Sequence, residues 1–214
     1  MEEAKPVITS DGFNLGVLST NVKYGIRDLP SRIYSSNYFT NQTIFEPGMA
    51  QGFFSELCSL MYNNGGVGLA SNQVTRIPPS YKFFIMDANW GGDIKNARPT
   101  ICIDPEMTFN TEQIPVHANE GCLSCPGVQV PVPRVEEVSL TYSRLNGESV
   151  TETFVGFEAR VVQHEMDHLS GKLIIDYLSR IKRDIYVRKL NKLKKTAKRI
   201  AEHMYYAQNI RIVK

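Results

Sequence analysis

Apolar positions along this chain repeat with two periods. Between Phe157 and Leu169 they follow a helix, with Val161, Val162, Met166 and Leu169 in one stripe. Gly171 then stands where a left-handed residue would stop that helix. Residues 47–64 show the same period, with Phe53, Leu57, Leu60 and Met61 on one face and Asn64-Gly65 as the stop. From Ser179, a candidate N-cap, the spacing predicts one long helix to about Tyr206. Its Tyr186, Leu190, Leu193, Ala197, Ile200 and Met204 recur at alternating steps of four and three, an a/d seam. Short apolar runs predict strands over Lys82–Asp87 and Pro99–Ile103, with Pro78-Pro79 and Gly91-Gly92 marking loops. Val138–Tyr142 alternates apolar and polar, and Val150–Val155 returns as its partner. Asn146-Gly147 predicts a type I′ turn between them. Residues 1–45 are punctuated by Pro, Gly, Ser and Asn and read as extended segments and loops.

The composition, 42% hydrophobic and 21% charged over 214 residues, fits one domain with a sizeable core. Mean hydropathy is −0.24 and no apolar run approaches membrane-spanning length, so a soluble chain without membrane association is expected. Met1-Glu2-Glu3 opens acidic with no apolar stretch behind it, which predicts no secretory signal. Cys58, Cys102, Cys122 and Cys125 are too few for a disulfide scaffold. They point to a reducing compartment: the cytoplasm, or an organelle stroma or matrix. The net charge of +2 divides unevenly. Residues 180–214 hold 12 Lys+Arg against 2 Asp+Glu, a net of +10, which leaves the preceding residues at −8. The predicted organisation is therefore an acidic body over residues 1–178 and a basic amphipathic helix over 179–214.

Gln163-His164-Glu165-Met166-Asp167-His168 places H-E-x-x-H on the predicted helix. Residues four apart share a helix face, so His164 and His168 present two imidazoles to one point, as a divalent metal requires. Glu165 is positioned to act as base toward water that such a metal activates. A third protein ligand is needed. In proteases with H-E-x-x-H-x-x-G-x-x-H it is a further histidine; here Gly171 fits but Ile174 stands in that histidine's place. The third ligand lies elsewhere.

Two other stretches carry chemistry. Gly65-Gly66-Val67-Gly68-Leu69-Ala70-Ser71-Asn72-Gln73 lets backbone approach a ligand closely. It lacks the Lys-Ser/Thr of a phosphate loop and the dinucleotide fingerprint, and alone reads as a tight turn after a helix. Gln73 adds an amide able to donate to an oxyanion. Glu120-Gly121-Cys122-Leu123-Ser124-Cys125-Pro126-Gly127 contains C-x-x-C. Pro126-Gly127 argue for an extended loop instead of the helix start of a redox pair, and the gap to His164 is far too long for a zinc finger. One cysteine as a thiolate ligand and the other as a small buried hydrophobe fits this context.

The ordered trio Gly66–Gln73, Glu120–Ser124 and Gln163–His168 resembles the three motifs of peptide deformylases, over about residues 47 to 183. The resemblance implies an α+β fold with antiparallel sheets around a central H-E-x-x-H metal-binding helix. It implies Fe²⁺, replaceable by Zn²⁺, Ni²⁺ or Co²⁺, held by Cys122, His164 and His168. The implied activity is removal of formyl from the N-terminal methionine of newly made polypeptides, with release of formate. Glu165 would move the proton, while the Leu123 backbone N–H and the Gln73 amide would receive the oxyanion. Val67, Gly68, Phe157 and Val161 would hold the substrate, and Glu120 with Arg134 would brace the cysteine loop. The chain departs from the family at Gln129, where arginine is common, at Ser71 for alanine, and at Asp104 for the asparagine of an Ile-Asn-Pro strand end.

Two other readings remain open at this level. An H-E-x-x-H peptidase would need a ligand downstream of His168, with Asp176, Asp184 and Glu202 as the acidic candidates. A ribosome- or RNA-binding protein with a degenerate body would not need the intact Glu165, Cys122 and Gln73. The basic helix itself suits contact with ribosomal RNA, which would bring an enzyme of nascent chains to its substrate.

Overall fold

The computed structural model describes residues 47–74, 77 and 81–192. Helix α1 (Pro47–Asn63) leads to β1 (Gly68–Ala70), a 3₁₀ turn (Ser71–Gln73), β2 (Phe83–Met86) and β3 (Thr100–Thr108). There follow β4 (Val116–Glu120), β5 (Val130–Arg134), β6 (Glu137–Ser143), β7 (Ser149–Val155), α2 (Gly156–Leu169) and a 3₁₀ turn (Ile174–Tyr177). A further helix is described over 180–192. The strands form a five-stranded antiparallel sheet of order β1-β2-β3-β6-β7 and a separate β4-β5 ribbon. The expected α+β class with antiparallel sheets holds.

Strand β2 explains the layering. All four of its residues are buried. Phe83 and Ile85 pack with Phe53, Leu57 and Met61 of α1, whereas Phe84 and Met86 pack with Ala159, Val161 and Val162 of α2. Alternate side chains point to opposite faces, so an unbroken apolar run is what a strand between two helices requires. A third cluster joins the ribbon to the chain's end: Val130 and Val132 meet Leu173, Ile175, Tyr186 and Leu190. The first two seam positions of the C-terminal helix therefore dock on the body. Ser179 Oγ accepts from Lys182 N–H at its start, as the N-cap reading expects. The seam from Leu193 onward, residues 1–45 and Pro78-Pro79 lie outside the described residues.

Both helix stops are Schellman turns. Gly65 and Gly171 have φ of +68° and +76°. Gly66 N–H donates to the Met61 carbonyl and Lys172 N–H to the Asp167 carbonyl, closing orphan helix acceptors.

Three local readings are corrected. The strand predicted to end at Ile103 continues to Thr108 through a bulge between Ile103 and Glu106. Pro105 cannot donate, and Asp104 takes φ of +46° while its N–H donates to the Lys82 carbonyl, so pairing shifts instead of stopping. Between β6 and β7 the turn is not type I′. Gly147 N–H donates to the Arg144 carbonyl and Arg144 N–H to the Glu148 carbonyl; Gly147 alone is left-handed, with φ of +83°. That is a type I turn closed by a glycine bulge, which gives the strands the same twist. Strands β4 and β5 lie outside the strands predicted from periodicity. Prolines 131 and 133 alternate with Val130, Val132 and Arg134, so their missing N–H groups fall on the side away from β4.

Phe84 is fully buried between sheet and α2. Phe84→Ala is expected to destabilise the chain by about 3–5 kcal/mol, read as a lowered midpoint in denaturant at unchanged slope.

Candidate metal centre and its cleft

Gly156, with φ of +58°, turns the chain from β7 directly into α2. Ala159 and Val162 then fix one helix face against the sheet, and the histidines occupy another. His164 Nε2 and His168 Nε2 lie 3.2 Å apart, and Cys122 Sγ lies 3.2 Å from His168 Nε2. The donor atoms of these three residues all fall within 4.8 Å of one another. A tetrahedral ion with bonds of about 2.0–2.3 Å holds its ligands roughly 3.3–3.6 Å apart, so the separations of 3.2 Å suit one closely. Thiolate with two imidazoles suits Fe²⁺ and Zn²⁺ by donor type. Among the described residues no carboxylate joins this group, and Asp176 instead accepts from Leu173 N–H and pairs with Arg183. The downstream ligand that a peptidase would need is not at Asp176.

The histidines are oriented from behind. Glu120 Oε2 lies 2.9 Å from His164 Nδ1, which leaves Nε2 to face the cluster. Arg134 donates to both oxygens of Glu120 at 3.0 Å, and Arg160 Nη1 adds a third contact at 3.0 Å. Arg134 also donates to Asp167 Oδ2 at 2.7 Å, so it ties the ribbon to α2. Glu120 and Arg134 are 7% and 4% exposed, which rules out a solvated surface pair. Burial alone would raise the Glu120 pKa, but His164 and Arg134 outweigh it and lower it to about 2. Burial likewise opposes charge on His164, yet the Cys122 sulfur and Glu120 keep its pKa well above the usual value.

Cys122 is half-buried. A hydrogen bond from the Cys125 thiol, aided by His168 and His164 against the effect of burial, holds its pKa well below the usual thiol value. Cys125 is fully buried, as expected of a small hydrophobe, but its thiol also engages Cys122.

Glu165 is buried, and burial raises its pKa while the two histidines partly offset the rise. Its Oε2 has no hydrogen-bond partner. Gly68 explains how the carboxyl fits: a Cβ there would stand 2.1 Å from Glu165 Oε1. Gly66 is similar, since a Cβ would meet Leu123 Cδ1 at 2.8 Å. Gln73 is buried; its Oε1 accepts from Ala70 N–H and its Nε2 donates to Ser124 Oγ at 3.0 Å. That contact uses one of the two amide protons. The cleft, about 530 Å³, is lined by Gly65–Gly68, Gln73, Glu120–Leu123, Gln129, Phe157, Val161, His164 and Glu165, among others. All the candidate site residues except Arg134 therefore line one cavity or hold its donors. Phe157 is 56% exposed, whereas Val161 is 4% exposed beneath it.

Several supporting residues escaped the sequence reading. Gln163 pairs through its amide with both Val135 N–H and the Val135 carbonyl, imitating a strand neighbour. Arg160 reaches the Val116 and Val132 carbonyls. Trp90 Nε1 donates to the Gly66 carbonyl, and Asp87 N–H to the Val67 carbonyl, clamping the glycine stretch. Gln163 sat inside a motif already singled out; the others had no local signal.

An H-E-x-x-H helix joined by a thiolate from a distant loop, with an unpartnered carboxyl beside them, has the donor set of a metal-dependent hydrolase. The family profile of polypeptide deformylases matches residues 38–184. A peptide deformylase of Rickettsia akari is 38% identical over 156 residues, covering 73% of this chain and 85% of that protein. The crystal structure of a Legionella pneumophila peptide deformylase superposes with a TM-score of 0.60 at 32% identity, covering 71% of this chain and 84% of the other. That of Synechococcus elongatus, in complex with actinonin, gives 0.62 at 26% identity, covering 89% and 91%. The chain belongs to the polypeptide deformylase family.

The Gly68 contact carries a test. Gly68→Ala is expected to displace the Glu165 carboxyl and to lower turnover by roughly 10²-fold, as misplacement of a reacting group does. Bound metal, measured in parallel, should stay unchanged.

Proposed function

We infer that this chain hydrolyses the formyl group from the N-terminal methionine of newly made polypeptides and releases formate. The observation that carries this reading is the convergence of Cys122, His164 and His168 beside the unpartnered carboxyl of Glu165 in one cleft. Cys122, His164 and His168 hold a divalent metal, which we take to be Fe²⁺, with Zn²⁺, Ni²⁺ or Co²⁺ able to replace it. When bound, the metal supplies Lewis acidity that lowers the pKa of water and polarises the formyl oxygen.

The remaining work falls to side chains. Glu165 accepts a proton from the attacking water as the oxygen adds to the formyl carbon. Its burial suits this task, because a carboxyl whose pKa is raised by burial takes up a proton more readily than a freely solvated one. The Gln73 amide and the Leu123 N–H donate to the oxygen on which charge develops. Glu165 then passes the proton to the amine nitrogen as the C–N bond breaks. Val161 and Val67 floor an apolar slot for the methionine side chain, Phe157 walls its mouth, and Gly68 lets the carboxyl approach. Glu120 and Arg134 are positioning residues, acting through His164.

We assign residues 1–178 to the catalytic domain and 179–214 to a basic helix. Arg188, Lys189 and Lys192 are exposed on its described part, opposite the docked Tyr186 and Leu190. That polarity favours contact of the helix with ribosomal RNA phosphates and places the enzyme in a compartment where chains begin with formyl-methionine. Because Tyr186 and Leu190 belong to the core, the informative truncation ends at residue 192. It removes six further Lys+Arg and one Glu. The shortened chain is expected to keep turnover and lose salt-sensitive co-sedimentation with ribosomes; equal co-sedimentation would reduce the tail to packing.

The activity is tested by formate release from a formyl-Met peptide using anaerobically purified, metal-quantified protein. Cys122→Ala should lose metal and activity, while Cys125→Ala keeps metal. Glu165→Gln should keep metal and lose at least about 10²-fold in turnover. Cleavage of unformylated peptides at comparable rates would replace this reading with a peptidase.

A further inference from the structure

The C-x-x-C lacks the helical setting of a thiol-exchange catalyst, yet its two cysteines close one tight turn. Cys125 N–H donates to the Cys122 carbonyl at 2.9 Å, so the pair occupies the first and last positions of a tight turn. Such turns bring the end Cα atoms within about 7 Å, near the range a disulfide can bridge. Both side chains belong to the cluster between the ribbon and the chain's end, and both line the cleft. Cys122 is half-buried and lines the open cleft, where a small oxidant can reach it; Cys125 is 0% exposed behind it. The other cysteines are separate: Cys58 packs in the α1 layer and Cys102 in the α2 layer.

We propose that Cys122 and Cys125 form a peroxide-reactive site, in which oxidation joins them as a disulfide and withdraws Cys122 from the metal. The inference rests on the reading of Cys122 as a metal ligand. In the first step the Cys122 thiolate attacks one peroxide oxygen. An S–O bond forms, the O–O bond breaks and hydroxide leaves, so sulfur is oxidised by two electrons to a sulfenic acid and the peroxide is reduced. In the second step the Cys125 sulfur attacks the Cys122 sulfur. The S–S bond forms, the S–O bond breaks, and the Cys125 proton leaves with that oxygen as water. The resolving thiol is held in the same turn, so disulfide formation outruns further oxidation to sulfinic acid, which thiols do not reverse. A disulfide sulfur carries no anionic lone pair and is a poor ligand, so the remaining imidazoles hold the metal weakly.

The test uses the full chain loaded with zinc, which has no redox chemistry of its own. It is treated with about three equivalents of hydrogen peroxide, the amount that carries one unresolved thiol as far as sulfonic acid. Free thiols should fall from four to two per chain, since two of the four cysteines become joined. Peptide mapping should find a Cys122–Cys125 link, and zinc should pass into the filtrate. Dithiothreitol should restore all four thiols and zinc uptake. In Cys125→Ala the same treatment should leave Cys122 as sulfinic or sulfonic acid, with neither thiol nor zinc recovered. Cys125→Ser, which keeps a hydroxyl donor, serves if alanine impairs folding. Over-oxidised Cys122 beside a free Cys125 in the native chain would overturn the proposal, as would equal recovery in the variant. Zinc retained on the disulfide form would also overturn it. The ligand assignment is judged separately, by zinc uptake of unoxidised Cys122→Ala.

Discussion

The carboxylate of Glu120 is where the separate parts of this chain are tied together. It closes β4, receives Arg134 from β5 and Arg160 from α2, and meets His164 Nδ1. A buried carboxylate without partners would be strongly disfavoured, and this one has two guanidinium groups and an imidazole. Its effect is geometric. With Nδ1 engaged, His164 can turn only Nε2 toward Cys122 and His168. The ribbon that carries Cys122 just beyond Glu120 is thereby registered against the helix that carries the histidines. Neither element packs against the other through a large apolar face, so a polar network performs the alignment that hydrophobic contact performs between α2 and the sheet.

The two helix faces of α2 divide the labour. Ala159 and Val162 are fully buried against the sheet and set the helix's rotation. At 100° per residue, fixing that face fixes where His164, Glu165 and His168 point. The glycine stretch then supplies what side chains would obstruct: Gly66 admits Leu123 and Gly68 admits Glu165. Trp90 and Asp87 hold that stretch by its carbonyls, so its permissiveness does not become looseness.

What could be read beforehand follows from the range of the interactions involved. Helices α1 and α2 and their glycine stops rest on local periodicity and backbone sterics, and Gly65 and Gly171 behave as read. The ribbon was illegible because Val130-Pro131-Val132-Pro133 looks like a broken strand until one knows that only one side of it is paired. The type I′ expectation failed because Asn-Gly serves two hairpin geometries, and strand register decides between them. Of the site, the trio Cys122, His164 and His168 that the fold brings together was legible from helical spacing and motif order. Arg160, Gln163 and Trp90 were not, because each acts on a carbonyl between 24 and 44 residues away, or spans two elements with no spacing rule. Gln129 lines the cleft where an arginine is usual, and nothing in the structure explains the exchange.

Glu120 and Glu165 show how one side chain serves opposite ends when its surroundings differ. Both are buried, at 7% and 3% exposure, so both feel desolvation that disfavours charge. Glu120 meets this with cations at hydrogen-bond distance, and its pKa falls to about 2. Glu165 has histidines nearby but leaves one oxygen unpartnered, and its pKa rises. A carboxylate that never releases its charge is suited to holding an imidazole in place. A carboxyl whose charged form is penalised by burial is suited to carrying a proton between water and an amine. The separation is achieved by where Arg134 and Arg160 reach and where they do not. Moving either guanidinium toward Glu165 would give it the firm charge of Glu120 and remove its capacity to return a proton.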